Sequence, residues 1–332
     1  MGRIGLVLAT VLALAATRAL AAGPPPPSPA QQRLIGEYGP TASLLEIYES
    51  GGRLYAEGRG LHAAALAAQA AEVFRTEPPG HAPETLAFDD QGGSAVAVSV
   101  DGLTLPRRDI GAEAIAAIRT GERGDPAALR AAALRASPSA EPPPKKPMDL
   151  VAITRIDPTI RLDIRYAGPD NFMGFPLYER PAAYLQRPAA EALGRVQQAL
   201  KAQGFGLLVH DAYRPWFVTK MFWDATPPQS RMFVADPAKG SRHNRGCAVD
   251  LTLYDLATGE PVEMPGRYDE MSPRSYAAYA GGTSRQRWAR DLLRAAMERE
   301  GFQVLAEEWW HFDYRDWADY PIGDVPFSDL AD

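Results

Sequence analysis

The chain has 332 residues, 46% hydrophobic and 23% charged, which suits a globular protein of one large or two ordinary domains. Its net charge of -6 and pI of about 5.5, with no long basic run, argue against nucleic acid as a partner. The single cysteine, Cys247, excludes an intramolecular disulfide.

The N-terminus has the pattern of an export signal, predicted over residues 1–22. Arg3 supplies the positive start, residues 4–16 are apolar, and Ala19-Leu20-Ala21 fits a small-x-small cleavage site. An apolar run of roughly a dozen residues is shorter than the 20 or so that span a bilayer. We therefore expect secretion across the inner membrane into the periplasm, with no transmembrane segment after cleavage. Residues 23–30 form a proline-rich spacer.

Residues 31–136 predict a small antiparallel β module with a helical end. Short apolar runs separated by Gly-containing turns are typical of β-hairpins. The predicted strands are 44–49, 54–57, 72–75, 85–88, 94–100 and 103–105. The alanine-rich segments 112–120 and 126–136 favour helices.

Residues 137–147 contain repeated prolines, which cannot pack inside a helix or sheet, and predict a linker. The domain boundary is therefore expected there, with a second domain over 148–332. In that domain the predicted strands are 151–156, 161–166 and 205–210, and the predicted helices are 188–203, 215–223 and 284–300 with Ser284 as N-cap. Helices and strands alternate without a regular βαβ repeat. The pattern favours an α+β fold, with a mixed or antiparallel sheet and flanking helices.

A first chemical cluster, residues 241–250, places His243 seven positions before Asp250. The segment from Ala248 to Leu253 alternates, so Asp250 is predicted to face a cleft while Val249 and its alternate neighbours face a core. A simple His–Asp hydrogen-bonded pair would show the same spacing.

A second cluster, Glu308-Trp309-Trp310-His311, lies near the C-terminus. Together the clusters offer two imidazoles, a carboxylate ligand and a spare glutamate, the inventory of a catalytic zinc site. Residues three apart point to opposite faces of a regular strand, so Glu308 and His311 can act together only at a bulge, a turn or a helical turn. The alternative is an aromatic core strand with two polar residues at its edge.

The combined pattern, Ser-x-His-x-x-Gly-x-Ala-x-Asp with Glu-x-x-His, resembles the signature of the zinc D-alanyl-D-alanine dipeptidases, the VanX-type enzymes of peptidase family M15. Three further segments agree with it, and the similarity spans about residues 150–325. They are Asp170-Asn171-Phe172-Met173-Gly174, Asp211-Ala212-Tyr213-Arg214-Pro215 and Tyr268-Asp269-Glu270-Met271-Ser272.

The resemblance implies a role for each matching residue and one Zn²⁺ per chain. The implied zinc ligands are His243, Asp250 and His311. Glu308 matches the general base and acid, and Arg214 matches the arginine that stabilises the oxyanion, although a surface salt bridge with Asp211 would also explain it. Asp269 and Ser241 match positions that receive the substrate's ammonium group.

The sequence therefore predicts a zinc peptidase that hydrolyses D-Ala-D-Ala in cell-wall metabolism, acting on a small dipeptide or on peptidoglycan fragments. One alternative is a zinc D,D- or L,D-carboxypeptidase that acts on longer peptidoglycan peptides. Another is a non-catalytic, zinc-containing wall-binding module. A Cys247 nucleophile is disfavoured, because its neighbours Gly246 and Ala248 suggest a small packed residue.

Overall fold

The computed structural model describes residues 23–77, 82–90, 92–120 and 124–330. The predicted signal peptide lies outside these described residues. The described chain forms two compact units. The first contains residues up to 110 together with 280–289, and the second contains residues 111–279 and 290–332.

Eight antiparallel strands of the first unit close into a barrel, in which each strand pairs with its neighbours in the chain and β1 pairs with β8. The strands are β1 (Gly36–Tyr38), β2 (Leu45–Ser50), β3 (Arg53–Gly58), β4 (Leu61–Ala70), β5 (Val73–Glu77), β6 (Thr85–Asp89), β7 (Ala97–Val100) and β8 (Leu103–Arg108). A short helix, α1 (Pro29–Leu34), precedes them. The predicted β module is thus a closed barrel, and β1 and β4 are strands that the sequence pattern did not reveal.

The barrel interior is filled by side chains from alternate positions of the strands. Leu45 and Ile47 of β2 are fully buried, and Val98 and Val100 of β7 are buried in the same way. Period-two burial is what a strand with one inward face requires. The unit therefore has a hydrophobic core of its own.

The second unit is a mixed α+β fold, as the sequence predicts. Its helices are α2 (Ile110–Thr120), α3 (Pro126–Arg135), α4 (Ile153–Ile156), α5 (Arg187–Lys201), α6 (Trp216–Ala225) and α7 (Ser284–Arg299). Helix α2 begins one residue before this unit, and the first six residues of α7 are assigned to the first unit. Its strands are β9 (Leu150–Ala152), β10 (Arg161–Leu162), β11 (Tyr184–Gln186), β12 (Phe205–Asp211), β13 (Ala248–Asp255), β14 (Phe302–Leu305) and β15 (Glu308–Tyr314). None of the helices in the described residues is long and apolar enough to span a membrane.

The main sheet of this unit has the order β10-β12-β13-β15-β14, and a small two-stranded sheet joins β11 to β9. Strand β10 runs parallel to β12, and the other pairs are antiparallel. Helix α5 contacts β12 and buries the predicted stripe of Leu193, Val196 and Leu200. Strand β13 is buried from Ala248 to Tyr254, so both of its faces are covered.

Two of the predicted strands are wrong for most of their length. Of residues 151–156, only the first two belong to β9, and the chain then turns into α4. Of residues 161–166, only two pair with β12 before a 3-10 turn over Arg165–Ala167. Short apolar runs do not distinguish a buried turn of helix from a strand, and here tertiary packing decides.

The predicted N-cap of α7 is one residue too late. The Thr283 side chain accepts a hydrogen bond from the Gln286 backbone N–H, and the Gln286 side chain accepts one from the Thr283 N–H. This reciprocal pair is a capping box, so Thr283 is the N-cap, whereas Ser284 is the first residue of the helix.

The division between the two units falls at residues 110/111 and not at the predicted linker, residues 137–147. Helix α3 packs against α6 of the second unit, and Arg130 of α3 donates to the Leu177 carbonyl. The two helices expected at the end of the β module therefore contribute to the second unit.

Candidate metal centre

Three neighbouring strands carry a row of polar residues across the middle of the main sheet. Asp250 on β13 lies directly opposite His311 on β15 and opposite Asp211 on β12. A register shift between Val209 and Asp211 completes this alignment. Residues directly opposite in antiparallel strands have neighbouring side chains, so strand pairing alone brings Asp250 beside His311.

His243 reaches the same place from a 3-10 turn (His243–Arg245) that precedes β13. The turn ends at Gly246, whose φ of 65° is left-handed, a conformation that glycine adopts most easily. The His243 carbonyl accepts from the Arg214 N–H at 3.1 Å, and its own N–H donates to Ser241 Oγ at 3.2 Å. The turn is thus fixed at both ends.

His243, Asp250 and His311 form a buried group whose ligand atoms lie within 4.8 Å of one another. His311 Nδ1 is 3.0 Å from both His243 Nε2 and Asp250 Oδ1, and the last two atoms are 3.3 Å apart. Donors of a tetrahedral zinc site with bonds of about 2.0–2.1 Å are roughly 3.3 Å apart. The three side chains therefore suit a small divalent cation in both chemistry and spacing.

Each of the three candidate ligands also has a hydrogen-bond partner, on the side that faces away from the other two ligands. His243 Nδ1 donates to the Ala212 carbonyl at 2.7 Å, His311 Nε2 lies 2.9 Å from Asp313 Oδ1, and the Tyr268 hydroxyl donates to Asp250 Oδ2 at 3.0 Å. These partners leave His243 Nε2, His311 Nδ1 and Asp250 Oδ1 for a metal. Such contacts orient ligands in metalloproteins generally.

The electrostatics of the group also favour a cation. Burial raises the pKa of Asp250, but the His243 and His311 imidazoles outweigh it and hold that pKa well below its ordinary value. Burial lowers the pKa of His311, but the hydrogen bonds with Asp250 and Asp313 outweigh it and raise the pKa to about 10. Without a metal, the Asp250 and Asp313 carboxylates therefore keep His311 protonated and positively charged.

Arg214 is buried beside the group and is not a surface residue. Its Nε and one terminal nitrogen donate to Asp211 Oδ2 at 2.9 and 2.7 Å, and the same terminal nitrogen is 3.9 Å from Asp250 Oδ2. The guanidinium also lies over the Phe222 ring, 4.8 Å from its centre. Asp211 does pair with Arg214, as the sequence allowed, but the pair is buried and fixes the guanidinium next to Asp250, a candidate metal ligand.

The Glu308 side chain lies close to that of His311 because strand β15 departs from regular pairing. Leu305 of β14 lies opposite Glu308, whereas the preceding Val304 lies opposite Phe312, so the register shifts within the Glu-Trp-Trp-His segment. Glu308 Oε2 is consequently 3.8 Å from His311 Nδ1. Burial raises the pKa of Glu308, and the lowering effect of His311 does not cancel it.

A cavity of about 490 Å³ opens onto these residues, and its lining includes Asp269, Ser241 and Glu308. Asp269 has φ of 58° and accepts a hydrogen bond from the Tyr166 hydroxyl at 2.8 Å. Burial raises its pKa well above the ordinary value, with the Tyr166 hydrogen bond opposing and the Asp250 charge adding to the effect. All seven residues predicted for the site therefore line this one cavity.

Two further residues, Asp313 and Tyr268, contact the candidate ligands and were not predicted from the sequence. Asp313 is two residues after His311 on a strand, so the same-face rule could have found it. Tyr268 stands next to Asp269, but nothing in the sequence indicated its bond to Asp250.

His210 is buried and its ring packs on Tyr268 at 4.7 Å between centres.

Cys247 is fully buried, and burial raises the pKa of its thiol to about 12. A thiol protonated at neutral pH is a poor nucleophile. The structure thus agrees with its interpretation as a packing residue.

Two buried histidines and a carboxylate, with a glutamate and an arginine beside an open cavity, define a site of the kind found in metallohydrolases. Residues 146–329, more than half of the chain, match the family model described as peptidase M15, D-Ala-D-Ala dipeptidase. The chain belongs to this family and is a peptidase.

Curated relatives agree with this placement. A D-alanyl-D-alanine dipeptidase of Escherichia coli (strain K12) is 36% identical over 181 residues, which cover 54% of this chain and 92% of that protein. One from Enterococcus faecium is 36% identical over 190 residues, covering 49% and 93%. One from Streptomyces coelicolor is 34% identical over 198 residues, covering 52% and 98%.

Proposed function

We propose that this peptidase is a zinc enzyme that hydrolyses the free dipeptide D-Ala-D-Ala. The observation that carries the proposal is the convergence of His243, Asp250 and His311 on one point at the wall of the cavity, with Glu308 beside them. The substrate follows from the relatives, each of which is named a D-alanyl-D-alanine dipeptidase.

His243 Nε2, His311 Nδ1 and Asp250 Oδ1 would hold the zinc ion, and three protein ligands leave a fourth position open, as in catalytic zinc sites. When bound, zinc supplies Lewis acidity, which makes water nucleophilic near neutral pH and polarises a peptide carbonyl. The burial of all three ligands supports a metal held firmly in place.

Glu308 acts as the general base and then as the general acid. Its carboxylate takes a proton from the attacking water and delivers it to the nitrogen of the leaving D-alanine as the peptide bond breaks. A raised pKa suits this role, because a proton carrier works best when its pKa lies near the operating pH.

Arg214 stabilises the negative charge that develops on the carbonyl oxygen. Asp211 holds the guanidinium in place before the reaction, so little reorganisation is needed when the charge appears. A fixed donor of this kind is typically worth about 3–4 kcal/mol of transition-state stabilisation.

Asp269 and Ser241 receive the ammonium group of the substrate. Asp269 lines the cavity, and an ammonium ion would supply an opposite charge to its carboxylate. Ser241 Oγ already accepts the His243 N–H, which leaves one lone pair for a substrate N–H.

A zinc D,D- or L,D-carboxypeptidase acting on longer peptidoglycan peptides is the second candidate, and the size of the cavity favours it. At about 490 Å³ the cavity falls in the range of roughly 300–1,000 Å³ that accommodates drug-sized ligands. A dipeptide of two alanines would leave part of that space to water.

We place the activity in the periplasm, in cell-wall metabolism. The charged, apolar and small-residue segments over residues 1–22 support export.

The test compares hydrolysis of D-Ala-D-Ala with that of N-acetyl-D-Ala-D-Ala by the zinc-loaded protein, with Glu308→Gln as the catalytic control. Cleavage of the free dipeptide alone, reduced at least 100-fold in E308Q with unchanged zinc content, is the expected result. Cleavage of the acetylated substrate would transfer the assignment to a carboxypeptidase. Cleavage of neither by the zinc-bound protein would reject both substrates.

A further inference from the structure

His311 has a charged partner that the proposed mechanism does not use. Its Nε2 lies 2.9 Å from Asp313 Oδ1, while its Nδ1 faces Asp250. The two residues are two apart on β15 and project from the same face of the strand. A carboxylate can only accept, so Nε2 carries the hydrogen and Nδ1 keeps its lone pair for a cation.

Arg242 holds the second oxygen of the same carboxylate. One of its terminal nitrogens is 3.2 Å from Asp313 Oδ2, and its guanidinium lies 4.8 Å from the centre of the Trp317 ring. The Asp313 side chain is only 12% exposed, so this ion pair is partly shielded from water. Since Arg242 immediately precedes His243, the pair also joins the turn that carries one histidine to the strand that carries the other.

The two histidines differ in the partner that orients them. His243 donates to a neutral carbonyl, that of Ala212, whereas His311 donates to a carboxylate. An anionic acceptor raises the electron density of the imidazole and makes it a stronger metal ligand than a neutral acceptor does. Asp313 therefore lies where it can strengthen the bond between His311 and a metal.

We propose that Asp313 is a positioning residue that sets the metal affinity of the centre through His311, and that Arg242 acts through Asp313 by fixing its carboxylate. The proposal rests on the proposed zinc site, but not on the identity of the substrate. It assigns to Arg242 and Asp313 a task apart from substrate binding and proton transfer.

The experiment measures zinc affinity by competition with a chromophoric chelator, without any substrate. Asp313→Asn keeps the size of the side chain and an acceptor oxygen but removes the charge, so zinc binding is expected to weaken about 10- to 100-fold. Asp149→Asn is the matched control, because Asp149 also pairs with an arginine, Arg187 at 2.7 Å, away from the cavity lining. Its zinc affinity should equal that of the unmutated chain.

Arg242→Gln tests whether Arg242 acts through Asp313. It also keeps the proposal testable if D313N fails to fold, because the Arg242 side chain is 39% exposed and its loss is easily tolerated. We expect its zinc affinity to fall about two- to fivefold, the effect of a partly exposed ion pair. The double variant D313N/R242Q should bind zinc no more weakly than D313N alone, because in this proposal Arg242 acts only through Asp313.

Zinc affinities within twofold of the unmutated chain in D313N, or additive losses in the double variant, would overturn the proposal. A chain that binds zinc with these dependences but leaves D-Ala-D-Ala intact would reject the proposed function alone. Failure of the unmutated chain to bind zinc would reject both.

Discussion

Asp269 is a buried carboxyl group whose ionised form costs the folded protein stability. Its carboxylate lines the cavity, and among the described residues no lysine, arginine or histidine nitrogen forms an ion pair with it. Tyr166 supplies one hydrogen bond, but burial raises the pKa. A folded-state pKa above the unfolded value means that the ionised form destabilises the protein, so stability falls as the pH rises from about 4 through the folded-state pKa.

Asp269→Asn should therefore raise the melting temperature of the ligand-free protein at pH 7 by a few degrees, and the gain should vanish below pH 4. Asparagine fits the site, because it tolerates a φ of 58° and can accept the Tyr166 hydrogen bond. The same variant should raise the KM for D-Ala-D-Ala at least tenfold, since a hydrogen bond to a charged group is lost. Calorimetry across pH and steady-state kinetics check the two effects; a lower melting temperature would indicate a structural role for the carboxylate.

Cys247 gives a second prediction at the scale of one residue. The thiol is fully buried and has a pKa of about 12, so the native protein should resist iodoacetamide at pH 8 for hours. The protein unfolded in urea should react within minutes and yield one adduct by mass spectrometry. Rapid modification of the native chain with loss of activity would instead revive a cysteine nucleophile.

At this scale the sequence indicated the candidate site residues but not the residues that contact them. His243, Asp250, Glu308 and His311 could be recognised because their spacing is itself the signature. Asp211 was recognised only as a neighbour of Arg214 in sequence. Its alignment with Asp250 depends on a register shift that no local pattern indicates.

At the scale of elements, the turn before β13 decides where His243 lies. Gly246 closes that turn, and a Cβ built on it would lie 2.5 Å from Leu150 Cδ2. Gly259 offers a comparison, because its φ of 81° is also left-handed while the nearest atom to a Cβ would be 3.5 Å away. The two glycines share a backbone conformation and differ in the space around them.

Gly246→Ala is expected to destabilise the protein by more than Gly259→Ala, for which about 1–2 kcal/mol of left-handed strain is the full effect. G246A should also weaken zinc binding at least fivefold, because relief of the clash moves the turn that carries His243, whereas G259A should bind zinc normally. Urea unfolding and chelator competition measure the two quantities. Equal losses of stability in both variants would mean that Leu150 moves aside freely.

The elements show the limit of periodicity as a guide. Helix α5 and strand β12 were predicted within one or two residues, because a long apolar stripe and a continuous apolar run admit one interpretation each. Residues 151–156 were not, because six residues do not establish a period. The predicted irregularity between Glu308 and His311 is confirmed by the register shift between β14 and β15.

At the scale of the whole molecule, the candidate metal ligands all belong to the unit of residues 111–279 and 290–332. Zinc bound only to the folded state stabilises that state by about 2.7 kcal/mol when its free concentration is 100 times the dissociation constant. Chelation should thus reduce hydrogen-exchange protection in β12, β13 and β15 by up to roughly 100-fold, and leave β2 and β3 of the barrel unchanged. Exchange measured by mass spectrometry, before and after zinc is restored, checks this; a similar loss in the barrel would show that both units unfold together.

The sequence by itself determined the composition class, the α+β character of the second unit and the family, and it indicated the candidate site residues, because each depends on residue types at short and fixed separations. Only the tertiary structure decided that the β module is a closed barrel, that α2 and α3 contribute to the second unit and that Asp313 and Tyr268 contact the candidate metal ligands. These features arise from pairing and packing between segments far apart in the chain. Their energies depend on which surfaces meet, and no local pattern of residues records that.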